Sequence, residues 1–426
     1  MSRLAVAAVL LATAILRRRV PASPWTTFPH PITRVAVIGA GPAGLQAAAH
    51  LLEANLTVRL FERAPSPGGN WFYTEETPVR EEYPETNSKL LEDLPDKYPA
   101  TRYYEEGDSG IALEERWRKH WQPRPVWYAL RTNTPAPWRV SVHDVQRHIR
   151  AYASLHGLNS NDKPSSPPYS PVAVYSTRVE ATYWTENFDA VVIATGLYTF
   201  PYVPSIKGIG NWSTAMENGQ YSIYHSQSFR HAERYAGKTI LLVGAWASAT
   251  EIARTIGPFT NRLIASVRPN KARDGYGLNT LIKFPDKTEF VPEISSFEPL
   301  DATDIGIKRG KIVLSNDTII LATGYRPTNL GGPGTLDNLH WTAARTWTHG
   351  GYQSLAFAKV WTGKARLPSR EQMWEDHQNQ KYQFGTPPDI FPQEALVRQY
   401  VAFLNAESLE LGGRFVEPLP VESVPH

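Results

Sequence analysis

The feature that most restricts this chain is a run of β-branched and apolar residues, Ile32 to Ile38, that stops at a glycine. It continues as Gly39-Ala40-Gly41-Pro42-Ala43-Gly44 into the Ala/Leu-rich stretch LQAAAHLLEA. The run has the pattern of a buried parallel strand, and the stretch after it reads as a helix. Gly39 lets the chain turn sharply, Gly41 removes the side chain where backbone meets a diphosphate, and Gly44 lets helix and strand pack closely. The free amides and dipole of the helix's first turn, opened by Pro42 and Ala43, favour the diphosphate's charge. A second strand, Thr57 to Phe61, ends in Glu62, whose carboxylate suits ribose hydroxyls. Strand, glycine triplet, helix, strand and acid in this order predict an α/β, Rossmann-like dinucleotide-binding unit.

Composition narrows the chemistry. The 426 residues include no cysteine, which removes disulfide scaffolds, zinc–thiolate sites, iron–sulfur clusters, cysteine nucleophiles and flavin–disulfide exchange. The 44 basic and 41 acidic residues leave a net charge of +3, against a role in nucleic-acid binding. No metal-ligand cluster stands out, so no metal is expected. At ~150 residues per domain, the length fits two or three domains.

The amino terminus carries an apolar run, Leu4 to Leu16, with Arg3 before it and Arg17, Arg18 and Arg19 after it. The run falls short of the ~20 residues of a spanning helix. Three readings compete: a membrane-associated anchor with the body facing the cytoplasm, a cleaved signal peptide, and an organellar transit peptide. Membrane association through residues 4–16 is the expectation carried forward. Prolines from Pro21 to Pro31 mark a linker.

A second turn of the same kind follows the strand-like KTILLV: Gly244-Ala-Trp246-Ala-Ser248-Ala249, then TEIARTI. The first glycine is kept. Trp246, however, stands where backbone should meet diphosphate, so either its indole turns outward or a ligand binds in a changed pose. The next strand, Leu263 to Val267, is followed by Arg268, whose guanidinium suits a phosphate. Two near-copies, VVIATG ending in Thr195-Gly196 and IILATG ending in Thr323-Gly324, each read as a buried strand breaking at a glycine.

Several of these segments are similar to those of the flavin-containing (class B) monooxygenases. The likeness includes IGAGPAGL, FER, GGNWFY (Gly68 to Tyr73), LRTNTP (Leu130 to Pro135), DVQRHIRAYASLHGL, YHSQSF (Tyr224 to Phe229), ILATGYRP and YQSLAFAKVWTGKARLPSREQM. It implies an NADP domain inserted into an FAD domain, with the ATG segments at the crossings. The expected division is 1–30 for the anchor or signal and linker, 31–200 and 317–426 for the FAD-binding parts, and 201–316 for the NADP-binding unit. The FAD contacts implied are Gly39, Gly41, Pro42, Ala43, Gly44, Glu62, Gly69, Trp71, Thr195, Gly196, Thr323 and Gly324. Those for NADPH are Gly244, Ser248 and Arg268, the last on the 2′-phosphate. Asn133 is implied beside the flavin ring, its amide offering both donor and acceptor.

The reaction implied is insertion of one oxygen atom of O2 into a small organic substrate bearing a nucleophilic nitrogen or sulfur, through a C4a-hydroperoxyflavin formed after NADPH reduces FAD. The Phe229-Arg230 pair lacks the Trp-Pro or Trp-Asp ending of the related Baeyer–Villiger enzymes. Ketone oxygenation and a flavin-binding homologue without NADPH turnover, suggested by Trp246 and the short passage from Gly324 to Tyr352, are the alternatives. His225 is assigned to domain coupling.

Overall fold

The computed structural model describes residues 25–26, 28–64, 66–78, 101–107, 110, 112–113, 123–132, 140–158, 178–182, 184–196, 198–210, 216–217, 220–221, 223–267, 281–298, 318–323, 325–327, 346–369, 371–375 and 390–417. The expectations for residues 4–16, Asn133, Arg268 and Gly324 lie outside these.

In chain order the first elements are β1 (Arg34–Ile38), α1 (Pro42–Glu53), β2 (Thr57–Phe61), β3 (Thr101–Glu105), α2 (Val142–Leu155), β4 (Arg178–Thr182), β5 (Ala190–Ile193) and β6 (Tyr198–Pro201). They are followed by β7 (Met216–Glu217), β8 (Gln220–Tyr221), β9 (Ile223–His225), β10 (Thr239–Val243), α3 (Ala247–Ile256), β11 (Arg262–Ser266), β12 (Thr288–Val291), β13 (Thr318–Leu321) and β14 (Tyr325–Pro327). Two helices close the chain, α4 (Thr346–Trp361) and α5 (Ile390–Leu411).

Two parallel sheets organise these elements. The first has the order β2-β1-β5, the second β12-β11-β10-β13-β9. In the first, Val35, Val37, Ala190 and Val192 point to one side and pack on Ala47, Ala48 and Leu51 of α1 and Ala358 of α4, the alternation expected of strands. The second sheet is apolar on both faces: Ile240, Leu242, Leu263 and Ala265 join one core, Leu241, Val243, Ile264 and Ile319 the other. α4 reaches α1 closely because Gly350 has no side chain; a Cβ there would lie 3.5 Å from Ala43 and 2.9 Å from Gln46 Oε1. α2 buries Val142, Val145, Ile149 and Ala153, spaced for one helical face.

The expected boundary at residue 316 is corrected by the strand pairing. β13, thought to open the last FAD part, is hydrogen-bonded between β10 and β9 and belongs to the second sheet. The passage between units lies just beyond each ATG segment. There β6 and β14 pair antiparallel, with Tyr325 opposite Pro201 and Arg326 opposite Phe200, and the Thr323 hydroxyl donates to the Tyr202 carbonyl. The exit and return of the chain thus form one two-stranded ribbon. Ahead of LRTNTP, β3 pairs antiparallel with β4.

Candidate active site

The two glycine turns are built alike. Gly39 has φ of 106° and Gly244 of 118°, a conformation that a side chain strains. Gly39 N–H donates to the Phe61 carbonyl at 2.7 Å, and Gly244 N–H to that of Ser266 at 3.0 Å. Beside them, Ala194 N–H donates to Ile38 at 2.8 Å and Ala322 N–H to Val243 at 2.9 Å. A Cβ on Gly39 would run into the Ala194 carbonyl, and one on Gly244 into that of Ala322. Each ATG segment therefore backs the first glycine of its own sheet, which explains why the near-copies recur.

Helix capping sets these turns apart from the start of α2. α2 begins with a complete capping box: the Ser141 hydroxyl accepts from Asp144 N–H, and the Asp144 carboxylate from Ser141 N–H. Its first amides are thus satisfied from within. α1 and α3 have no side-chain cap and no acid in their first turn, leaving amide donors for an anion. Pro42, at the start of α1, gives up an N–H that had no partner in the helix. The Ser248 side chain is half-buried in the first turn of α3. Thr195 and Gly196 are exposed just past β5.

Over the first turn lies the loop Gly68–Gly69. Gly68 N–H donates to the Ala40 carbonyl at 3.1 Å, and a Cβ on Gly69 would sit 2.8 Å from Gly41 Cα. The 3-10 turn Gly69–Trp71 places Trp71 against Ala40, Leu45 and Ile149. Glu62 braces the same turn, accepting from Ala40 N–H at 2.7 Å and Ala64 N–H at 2.8 Å; a carboxylate with two bonds retains lone pairs for a ribose. Ala43, by contrast, sits at the contact with α4.

In the second unit the matching bonds equate Ser266 with Phe61, so Val267 stands where Glu62 does. The missing acid removes a charge that would repel a 2′-phosphate. Trp246, at the N-cap of α3, is 56% exposed.

The seam between the units is fixed by Arg230, which sequence reading named only as part of a dipeptide. It is 2% exposed. Its guanidinium donates to the carbonyls of Thr74 (3.0 Å), Glu76 (2.6 Å) and Arg124 (3.1 Å) in the first unit, and of Gln227 (2.9 Å) and Phe229 (2.8 Å) in its own segment. Beside it, His231 Nε2 and Tyr73 Oη meet the Glu75 carboxylate at 2.6 and 2.5 Å, and the Tyr73 bond, then that from His231, hold its carboxyl below the usual range. His225 is buried, its Nδ1 accepting from Gln227 N–H at 3.2 Å. Trp127 meets Phe229 edge-on, and Leu130, the first residue of LRTNTP, packs on the core that holds Ala245 and Ala249 of the second turn. Residues 130–132 are bonded to 140–142, on either side of the segment in sequence that contains Asn133.

Among the described residues, buried polar atoms of Thr74, Trp127, His143 and Ser226 near this seam, and of Gln46 and Thr288 away from it, carry no hydrogen bond. Such groups cost about 1–3 kcal/mol each when left unmade, and those near the seam suit polar ligands seated between the turns. Arg124 adds charge near Glu62; burial, then the neighbouring Arg63, lowers its pKa to about 10. A signal for Arg230 is absent from the sequence, because three of its partners are carbonyls of distant residues, Thr74, Glu76 and Arg124.

This pair of dinucleotide turns defines a two-cofactor oxidoreductase. The family pattern described as pyridine nucleotide-disulphide oxidoreductase matches residues 33–269; with no cysteine in the chain, the shared part is the scaffold, not disulphide exchange. The flavin-containing monooxygenase iboF of Amanita muscaria is 30% identical over 92% of this chain and 91% of its own length. Trimethylamine monooxygenase of Roseovarius nubinhibens is 28% identical over 69% of this chain and 61% of its own. The structure of S-allyl-L-cysteine S-oxygenase from Allium sativum superposes with a TM-score of 0.56 at 19% identity, covering 90% of this chain and 89% of that one. The chain belongs to the flavin-containing monooxygenases. It is a flavin-dependent oxidoreductase whose cofactors are FAD and NADPH. The uncapped helix ends, the open glycine turns and the unbonded seam atoms fit both.

Proposed function

We propose that this enzyme transfers one oxygen atom of O2 to a nucleophilic nitrogen or sulfur of a small organic substrate, with NADPH as electron source. The observation that carries the reading is Arg230: one buried guanidinium ties the loop following Trp71 to the segment leading into the second turn, so the two cofactor sites share one fixed seam. The chemistry supplied by the bound flavin is activation of dioxygen at the expense of NADPH. The chain's part is to bind and to exclude water. The α1 and α3 amides hold the two diphosphates, Glu62 holds a ribose, and Trp127, Phe229 and Tyr235 make the seam apolar. No acid–base pair of side chains is required. The name of the trimethylamine relative supports a nitrogen substrate.

The units divide at the β6–β14 ribbon, the first comprising residues 31–200 and the chain after β14. The same proposal has residues 4–16 bind a membrane. Thr26, which bridges to Leu367 and donates to the Pro368 carbonyl at 2.6 Å, would hold the segment's exit against the helical end of the first unit. Among the described residues no helix is long and apolar enough to cross a membrane.

The test is anaerobic mixing with NADPH, then aerobic product analysis with a tertiary amine, a sulfide and a cyclic ketone. Flavin bleaching with N- or S-oxide formation is expected. Lactone formation alone would make it a Baeyer–Villiger enzyme, and a coloured protein that NADPH does not bleach would end the oxygenase reading. Fractionation of the full chain with and without residues 2–20 tests the membrane part.

A further inference from the structure

Gly41 and Trp246 occupy the same place. Each is the N-cap of the helix after its turn, with nearly the same backbone: φ −75° and ψ −179° for Gly41, φ −91° and ψ −173° for Trp246. The side-chain direction is therefore shared. In the first unit it is known where that direction leads, because a Cβ on Gly41 would lie 3.4 Å from Gly69 Cα, in the loop that covers the turn. In the second unit no Gly-Gly pair follows β11 before residue 331. At the place that matches Gly41 stands an indole, 56% exposed.

We propose that Trp246 is a wall of the NADPH cleft: its indole does for the second turn what the Gly68–Gly69 loop does for the first, packing against the bound dinucleotide at its diphosphate end. The substitution of tryptophan for the middle glycine is then compatible with binding. The backbone still approaches the diphosphate, since Gly244 keeps its left-handed turn and α3 keeps its free amides. The indole adds a flat apolar face against the ribose and rings, an interaction that aromatic residues make well with nucleotides. This inference rests on NADPH binding at the second turn and adds a positioning residue to it.

The experiment uses the FAD-loaded enzyme and titrates NADP+, which binds without turnover, by calorimetry. In parallel, anaerobic flavin reduction by NADPH is followed at several concentrations. Trp246→Gly is expected to weaken NADP+ binding about tenfold and to raise the NADPH concentration for half-maximal reduction by the same factor, with the limiting reduction rate little changed. Trp246→Phe is expected to restore most of the affinity. Glycine is an acceptable N-cap, so the helix survives the change; flavin content and thermal midpoint confirm it. Equal or tighter NADP+ binding by Trp246→Gly would overturn the proposal, making the indole a bystander or an obstruction. If the wild-type enzyme binds no NADP+, the underlying functional reading fails instead, and the two failures are thus distinct.

Discussion

In the first turn Gly44 backs onto the Gly39 carbonyl so closely that a Cβ would overlap it. In the second, Ala249 holds that place, fully buried, Cβ included. The first turn is covered by backbone, Gly68–Gly69, and braced by a carboxylate, Glu62. The second presents an indole and, at the acid's place, Val267. Strands, first glycines and supporting alanines are otherwise alike. The lesson is that the hydrogen-bonded frame of such a turn is set by its first glycine and the neighbouring strand, whereas the second and third positions adjust to what covers the ligand and how near the helix stands.

The comparison breaks most visibly at the third position. Gly44→Ala should cost about 3–5 kcal/mol and release FAD, whereas Ala249→Gly should cost only about 1–2 kcal/mol and leave flavin content unchanged; thermal melts and absorbance of the purified variants decide. Next comes the link between turns. Arg230→Met keeps the bulk but leaves carbonyls on both sides of the seam unpaired. A loss of about 3 kcal/mol is expected, together with slow anaerobic reduction of flavin that is still bound. Fast reduction would show that the units register without it.

Smaller effects sharpen the contrast. Glu62→Gln removes an acceptor from Ala40 or Ala64 N–H, at about 1–2 kcal/mol. FAD affinity should fall in a titration of the apoprotein while NADP+ affinity does not. The smallest effect is at the edge of the first sheet, where Asp189 accepts from Thr33 N–H, Arg34 N–H and the Thr33 hydroxyl, each at 2.8 Å. The two backbone bonds, then that from the hydroxyl, hold its carboxyl below the usual range. Because the folded value is the lower one, its stabilisation is present above the unfolded value of ~3.9 and fades as pH falls through the folded value. Asp189→Asn should flatten that acid limb in melts between pH 3 and 6, and an unchanged limb would assign it to other carboxylates.

The local parts of this architecture were legible in the sequence. β2 appears at Thr57–Phe61 as expected, and the glycine spacing, the acid and both ATG segments could be read, because strand period and turn chemistry are written in neighbouring residues. What pairs with what was not. The two ATG segments look alike, yet β5 lies beside β1 and β13 beside β10, and a strand's own residues do not say which sheet receives it. Arg230 was equally silent, since a carbonyl can belong to any residue. For Trp246 the sequence posed the alternatives; the structure adds that its backbone matches that of Gly41 and that its side chain is exposed.

The β6–β14 ribbon also orders events at the ribosome. Everything needed for the second sheet has been made once β13 and β14 emerge, and its exit and return are stitched side by side. The first sheet must wait, because α4 and its Gly350 contact with α1 arrive only with the carboxyl-terminal segment. Synthesis thus finishes the inserted half before the half that surrounds it, and a chain truncated after Pro327 would leave the apolar side of α1 without its cover, a surface for chaperones rather than for flavin.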